Sequence, residues 1–175
     1  MSPVAVLVGP PGAGKSTVGT LLAERLGVPF TDTDTIVEAS AGREISDIFL
    51  TDGEPAFRAL ERDAVAQALA DHDGVLALGG GAVMTEAVRD LLEGHAVVFL
   101  AVGLAAGVRR VGLSTARPLL AGVNPRATFS ALLTERLPVY RSVARLEVAT
   151  DDLAPEAVVD MIVAALAPEA ADRAR

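Results

Sequence analysis

The run Val4 to Val8 is continuously apolar and enters Gly9-Pro10-Pro11-Gly12-Ala13-Gly14-Lys15-Ser16-Thr17. Beyond it, Val18, Leu21, Leu22 and Leu26 recur at helical spacing, and Gly27 is a stop signal. A short run with no polar alternation reads as a buried parallel strand. Between this strand and the helix, Gly9, Gly14, Lys15 and Ser16 fit G-x-x-x-x-G-K-[ST]. Glycines in such a loop let successive backbone N–H groups face phosphates, and the helix N-terminus adds positive potential. Lys15 is placed to reach the β- and γ-phosphates, and the Ser16 hydroxyl to ligate Mg²⁺. Lys15 is also the only lysine in the chain, against fourteen arginines. Lysine has been kept where a phosphate loop needs it and nowhere else.

Strand signals recur along the chain. Val28 to Thr31 reads as a second strand, Val75 to Leu78 as a third, Ala96 to Val102 as a fourth and Glu147 to Thr150 as a fifth. Residues 34 to 70 read as mostly helical with breaks near Gly42 and Gly53, and Pro155 to Leu166 as a final helix. Strands alternating with helices predict an α/β fold, a parallel sheet covered on both faces. At 175 residues, with no internal repeat and no linker composition, one domain is expected, with residues 168–175 as a disordered tail.

Composition narrows the function. The chain is 51% hydrophobic and 22% charged, hence globular, and with only 3% aromatics its core must be aliphatic. It has no cysteine, which excludes disulfides and thiolate metal sites. The apolar run Ala96 to Val108 is too short for a bilayer, which needs about 20 residues. No basic segment precedes the first apolar run, so no signal peptide is read there, and a cytoplasmic location is expected. A net charge of −8 argues against general nucleic-acid binding. Yet residues 101–145 hold seven arginines (Arg109, Arg110, Arg117, Arg126, Arg136, Arg141 and Arg145) against the one acid Glu135. That segment is either a solvated basic face or a site for a polyanion such as ATP.

A phosphate loop does not say what is done with the nucleotide. Regulatory GTPases read guanine with Asn-Lys-x-Asp, which the sole lysine at position 15 rules out. Asp32 and Asp34 follow the second strand, at the carboxyl edge where parallel sheets bind ligands. If that stretch is extended, both carboxylates face one site. One can serve the metal and the other an attacking hydroxyl. The alternative for either is a helix N-cap.

Two helical stripes carry charges where apolar residues belong. Glu61 falls within Phe57, Leu60, Ala64, Val65, Ala68 and Leu69, and Arg58 lies one turn before it. A buried carboxylate needs a partner, so Glu61 is expected to aim Arg58. Arg136 falls within Phe129, Leu132, Leu133, Leu137 and Tyr140, with Pro138 as a possible kink. Either Arg136 snorkels to solvent or it awaits an anion. Two arginines aimed into a cleft predict an acceptor that carries a carboxylate. Gly112 to Gly122 encloses Arg117-Pro118-Leu119 with no helical or strand period. It reads as a mobile lid, about residues 112–124, or as an ordinary surface loop.

Taken together, the loop Gly9 to Thr17, Asp32-Thr33-Asp34, Gly53-Glu54 with Phe57-Arg58-x-x-Glu61, Gly79-Gly80-Gly81-Ala82, Arg117-Pro118-Leu119 and Arg136-x-x-x-Tyr140 resemble the shikimate kinases, in order and spacing, over about residues 3 to 166. The resemblance implies a three-layer α/β/α P-loop kinase fold, with a five-stranded parallel sheet in order 2-3-1-4-5. A substrate-binding helical segment of about residues 33–61, a lid, and usually a monomer go with it. It implies transfer of the γ-phosphate of ATP to the 3-hydroxyl of shikimate, in chorismate and aromatic amino acid biosynthesis. On matching positions, Gly12, Ala13, Gly14, Lys15, Ser16 and Thr17 hold the phosphates, with Ser16 and Asp32 in the shell of Mg²⁺. Asp34 binds the shikimate hydroxyls as base or orienter. Arg58, Gly79, Gly80, Gly81 and Arg136 bind the carboxylate and ring. Arg117 closes from the lid, and Arg110 and Pro155 flank the adenine. The family often has a basic residue just before that proline, whereas this loop reads Asp151-Asp152-Leu153-Ala154-Pro155. A gluconate kinase, or a nucleotide-binding regulator without catalysis, would share the phosphate loop. The regulator would not need Asp34 or Arg117.

Overall fold

The structure is a computed structural model and describes residues 2–111 and 124–173, with side chains to residue 167. Five strands, β1 (Ala5–Val8), β2 (Phe30–Asp32), β3 (Val75–Ala77), β4 (Val97–Ala101) and β5 (Leu146–Ala149), form one sheet in the order β2-β3-β1-β4-β5. Every pairing is parallel: Leu7 lies beside Ala77, Asp32 beside Ala77, Val8 beside Phe99, and Ala101 beside Ala149. β1 and β3 are buried along their whole length, which accounts for their unbroken apolar runs. The second strand starts two residues later and ends one residue later than the apolar signal of Val28 to Thr31, because pairing with β3 rather than hydropathy fixes its ends.

Helices cover both faces. α1 (Lys15–Leu26) follows β1. Three helices, α2 (Thr33–Ala41), α3 (Ile45–Thr51) and α4 (Glu54–Asp71), connect β2 to β3. A short 3₁₀ turn (Ala82–Met84) and α5 (Glu86–Leu91) lead to β4. α6 (Leu104–Val111) follows β4, α7 (Pro125–Val143) precedes β5, and α8 (Pro155–Arg173) ends the description. The expected breaks near Gly42 and Gly53 are present: both have positive φ and separate α2, α3 and α4. Pro138 sits inside α7, and α8 runs past the expected end at Leu166 to Arg173.

The core divides by face. Leu7, Leu22, Leu100 and Ile162 join α1 and α8 on one side of the sheet; Val6, Leu78, Phe99 and Tyr140 join α4 and α7 on the other. A third cluster, Val37, Ile48, Phe57 and Ala64, packs α2, α3 and α4 together. The β2-to-β3 connection therefore has its own small core, and it carries Asp34, Arg58 and Glu61 over the sheet's carboxyl edge. The expected lid, with Arg117, lies outside the described residues. Among the described residues no helix is long and apolar enough to cross a membrane.

Candidate active site

All five strands run the same way, so the turns after β1, β2 and β3 converge at one edge of the sheet. There they enclose a cavity of about 360 Å³ lined by Gly12, Gly14, Lys15, Ser16, Thr17, Asp32, Asp34, Leu78, Gly79, Gly80 and Arg110. The phosphate loop and the aspartate pair, 15 residues apart in sequence, share that one space.

Within the loop, Gly14 precedes the first turn of α1 with φ 89°, a left-handed conformation that favours glycine. The Lys15 ammonium folds over the loop and donates to the carbonyls of Gly9 at 2.7 Å and Pro10 at 3.1 Å. Ala13 is buried, and its N–H donates to Pro10 O at 3.2 Å. The first turn of α1 holds no acid, leaving its N-terminal potential available to an anion.

The aspartates do not sit on an extended stretch. Asp32 ends β2 and caps α2, its Oδ1 accepting from the Asp34 N–H at 2.9 Å, while Asp34 stands in the first helical turn. The N-cap alternative therefore holds for Asp32, and the helix turn, not strand alternation, brings both carboxylates to the cavity. The capping aspartate has a second oxygen, Oδ2, which accepts from Ser16 Oγ at 3.5 Å. A hydroxyl and two carboxylates form a hard oxygen donor set, which fits Mg²⁺ arriving with a phosphate ligand rather than a metal held by protein alone. Among the described residues no cluster of three or more His, Cys, Asp or Glu forms a cage.

Opposite the loop, the Gly79–Gly81 turn is packed against charge. A Cβ on Gly79 would lie 2.6 Å from Glu61 Oε1 and 2.8 Å from Asp34 Oδ1, and one on Gly81 would collide with the Arg58 guanidinium. These glycines are required because carboxylates and an arginine come right up to the backbone. Arg58 donates to Glu61 at 2.7 Å and to Glu54 at 3.2 Å. Glu61 is 1% exposed, and its Oε1 has no hydrogen-bond partner. Burial raises its carboxyl above the ordinary 4.5, countered in part by Arg58 and more weakly by Arg136. Arg136 is 8% exposed, so it does not snorkel.

Arg58, Gly81 and Arg136 border this corner without lining the cavity itself. Arg110 reaches from α6 to donate to Gly12 O at 3.1 Å and to Thr150 O at 3.1 Å. Pro155 opens α8 just beyond that loop. Two contacts escape a reading of the sequence. Thr33 Oγ1 accepts from the Gly79 N–H at 3.1 Å, and the Tyr140 hydroxyl donates to Gly80 O. The only tyrosine in the chain, set in an apolar stripe, was the available signal for the second, since a buried phenol needs a partner. Thr33 offered none.

A phosphate loop after β1, a carboxylate pair after β2 and a cavity facing basic side chains define a P-loop kinase of small molecules. The family profile described as Shikimate kinase matches residues 11–167. A shikimate kinase of Saccharopolyspora erythraea is 68% identical over 163 residues, which is 93% of each chain. The structure of Acinetobacter baumannii shikimate kinase in complex with shikimate superposes with TM-score 0.91 at 35% identity, over 97% of this chain and 94% of that one. A gluconokinase structure from Sinorhizobium meliloti, at 26% identity over 96% and 93% of the chains, reaches TM-score 0.58. The chain belongs to the shikimate kinase family.

Proposed function

We propose that the protein transfers the γ-phosphate of ATP to the 3-hydroxyl of shikimate, giving shikimate 3-phosphate and ADP on the route to chorismate and the aromatic amino acids. One observation carries this reading: the phosphate loop and Asp34 share a cavity with Gly79 and Gly80, and the buried Glu61, paired with partly buried Arg58 and close to the charge of buried Arg136, comes up against Gly79.

The phosphates of ATP lie against the N–H groups of the loop and the N-terminus of α1, with Lys15 turned from its own carbonyls toward the β- and γ-phosphates. Ser16 and Asp32 would hold Mg²⁺ brought with ATP, which would supply neutralisation of phosphate charge there. Asp34 receives the 3-hydroxyl, orients its lone pair toward Pγ and accepts the proton as the new O–P bond forms and the bond to the ADP oxygen breaks. Arg58 and Arg136 hold the shikimate carboxylate, so the ring is fixed before the phosphoryl group moves. Arg117, which lies outside the described residues, would stabilise charge on the transferring group. The enzyme acts as a monomer in the cytoplasm, where both substrates are small and soluble. A gluconate acceptor has no rigid ring for the crowded Gly79–Gly81 wall to register.

The test is ADP release from Mg²⁺–ATP with shikimate, against gluconate and a nucleoside monophosphate as controls. Stimulation by shikimate alone is expected. Asp34→Asn should abolish turnover while retaining ATP binding; unchanged turnover would remove Asp34 from the chemistry. Tight ATP binding with no turnover on any acceptor would favour a regulator.

A further inference from the structure

The strand order divides the carboxyl edge into two flanks. The loop on central β1 holds phosphate, and the acceptor residues Asp34, Gly79 and Gly80 come from the β2 and β3 side. A nucleotide whose phosphoryl end faces Asp34 must send its base the other way, over the ends of β4 and β5. Only two connections described there can meet it: the β4–α6 turn at Gly103, and the stretch from Thr150 to Ala154.

Two ties join those connections. In the first, Arg110 on α6 donates through Nη1 to Gly12 O at 3.1 Å and Thr150 Oγ1 at 3.2 Å, and through Nη2 to Thr150 O at 3.1 Å. Thr150 is itself fixed, its N–H and Oγ1 each donating to Ala101 O at 2.9 Å. In the second, both carboxylate oxygens of Asp151 accept from the Gly103 N–H, at 2.8 and 3.1 Å. Gly103 O in turn accepts from the Gly107 N–H at 2.9 Å, which opens α6. The carboxylate thus faces the positive end of the helix that carries Arg110. It also comes so close that a Cβ on Gly103 would collide with it.

Asp151 is exposed, so its tie adds little to the core. Its negative charge is unsuited to touching a polyanion. What it does is hold α6, and with it Arg110, at a set distance from the loop that leads to Pro155. Resting on the ATP-dependent reading above, we propose that Asp151, acting through the Gly103 N–H, is a positioning residue for the nucleotide base. It fixes the spacing of the two walls between which the base lies.

The experiment measures KM for ATP, KM for shikimate, kcat and Tm for Asp151→Ala, Asp151→Asn and Gly103→Ala, with ADP affinity by calorimetry on each folded protein. Losing a hydrogen bond to a carboxylate predicts a rise in KM for ATP of about tenfold in Asp151→Ala. ADP affinity should fall in parallel, with kcat and KM for shikimate changing far less. Asparagine keeps an acceptor for the Gly103 N–H and should recover most of the affinity, whereas Gly103→Ala should behave like Asp151→Ala. Unchanged ADP affinity and KM for ATP in Asp151→Ala would overturn the proposal. So would a joint rise of both KM values with a fall in Tm that asparagine does not rescue, which is the pattern of a merely structural tie. If the unaltered protein binds ADP but does not turn over shikimate, the acceptor reading fails, and ADP affinity still decides the role of Asp151.

Discussion

Arg136 and Glu61 place opposite charges in the interior where α7 and α4 approach the Gly79–Gly81 turn. Glu61 is hydrogen-bonded to Arg58, whereas Arg136 acts on it through charge alone. Arg136 is therefore the less committed cation and the one most dependent on an incoming carboxylate. Arg136→Ala should raise KM for shikimate by about 10- to 100-fold, the worth of a charged hydrogen-bonded contact, with KM for ATP little changed. Steady-state kinetics with each substrate varied checks this; equal effects on both would show a general disturbance. The Glu61 carboxyl binds its proton more tightly folded than unfolded, since burial raises it above 4.5. Its contribution to stability is therefore full below about pH 4.5 and is lost as pH rises through the folded value. In urea titrations from pH 4 to 8, Glu61→Gln should gain stability relative to the unaltered chain as pH rises. A pH-independent difference would refute that linkage.

Among the elements, α7 joins core and site. Its Phe129 and Leu133 pack beside α6, while Tyr140 stacks on Phe99 of β4 at 5.0 Å and donates its hydroxyl to Gly80 O. One helix thus ties the acceptor turn to the sheet. Tyr140→Phe keeps the stack and removes only the hydroxyl, so it should cost about 1 kcal/mol of stability. Because the freed carbonyl lies in the Gly79–Gly81 turn, KM for shikimate should rise as well. Chemical denaturation and kinetics on the same preparation would check both, and a loss of stability with an unchanged KM would assign the bond to folding alone. The β2-to-β3 connection behaves similarly: its small core of Val37, Ile48, Phe57 and Ala64 exists to hold α2 and α4 over the cavity.

For the molecule as a whole, the sole lysine offers a direct probe. An amine-acylating reagent can modify only the α-amino group and Lys15. The ammonium is folded on its own loop carbonyls, so labelling should be slow without ligand and slower still with Mg²⁺–ATP. Intact-mass and peptide analysis should show loss of activity tracking Lys15 modification, with shikimate alone giving no protection. Protection by shikimate but not by ATP would reverse the assignment of the cavity's two ends.

Much of the fold was legible in the sequence because its signals are local. A continuous apolar run followed by Gly9 to Thr17 determines a strand, a phosphate loop and a helix, since backbone sterics and hydrogen bonding within a few residues suffice. Helix breaks at Gly42 and Gly53, and the burial of Glu61 within an apolar stripe, follow from the same short-range periodicities. The tertiary structure alone decided the rest. That Asp32 caps α2 while its other oxygen meets Ser16 depends on where β2 pairs with β3. That Thr33 and Tyr140 hold the acceptor turn, and that Asp151 reaches Gly103, depends on segments 46, 60 and 48 residues apart meeting at one edge. No local propensity encodes such meetings. They arise because parallel strands must all end on the same side of the sheet, and burying both of its faces fixes which ends become neighbours.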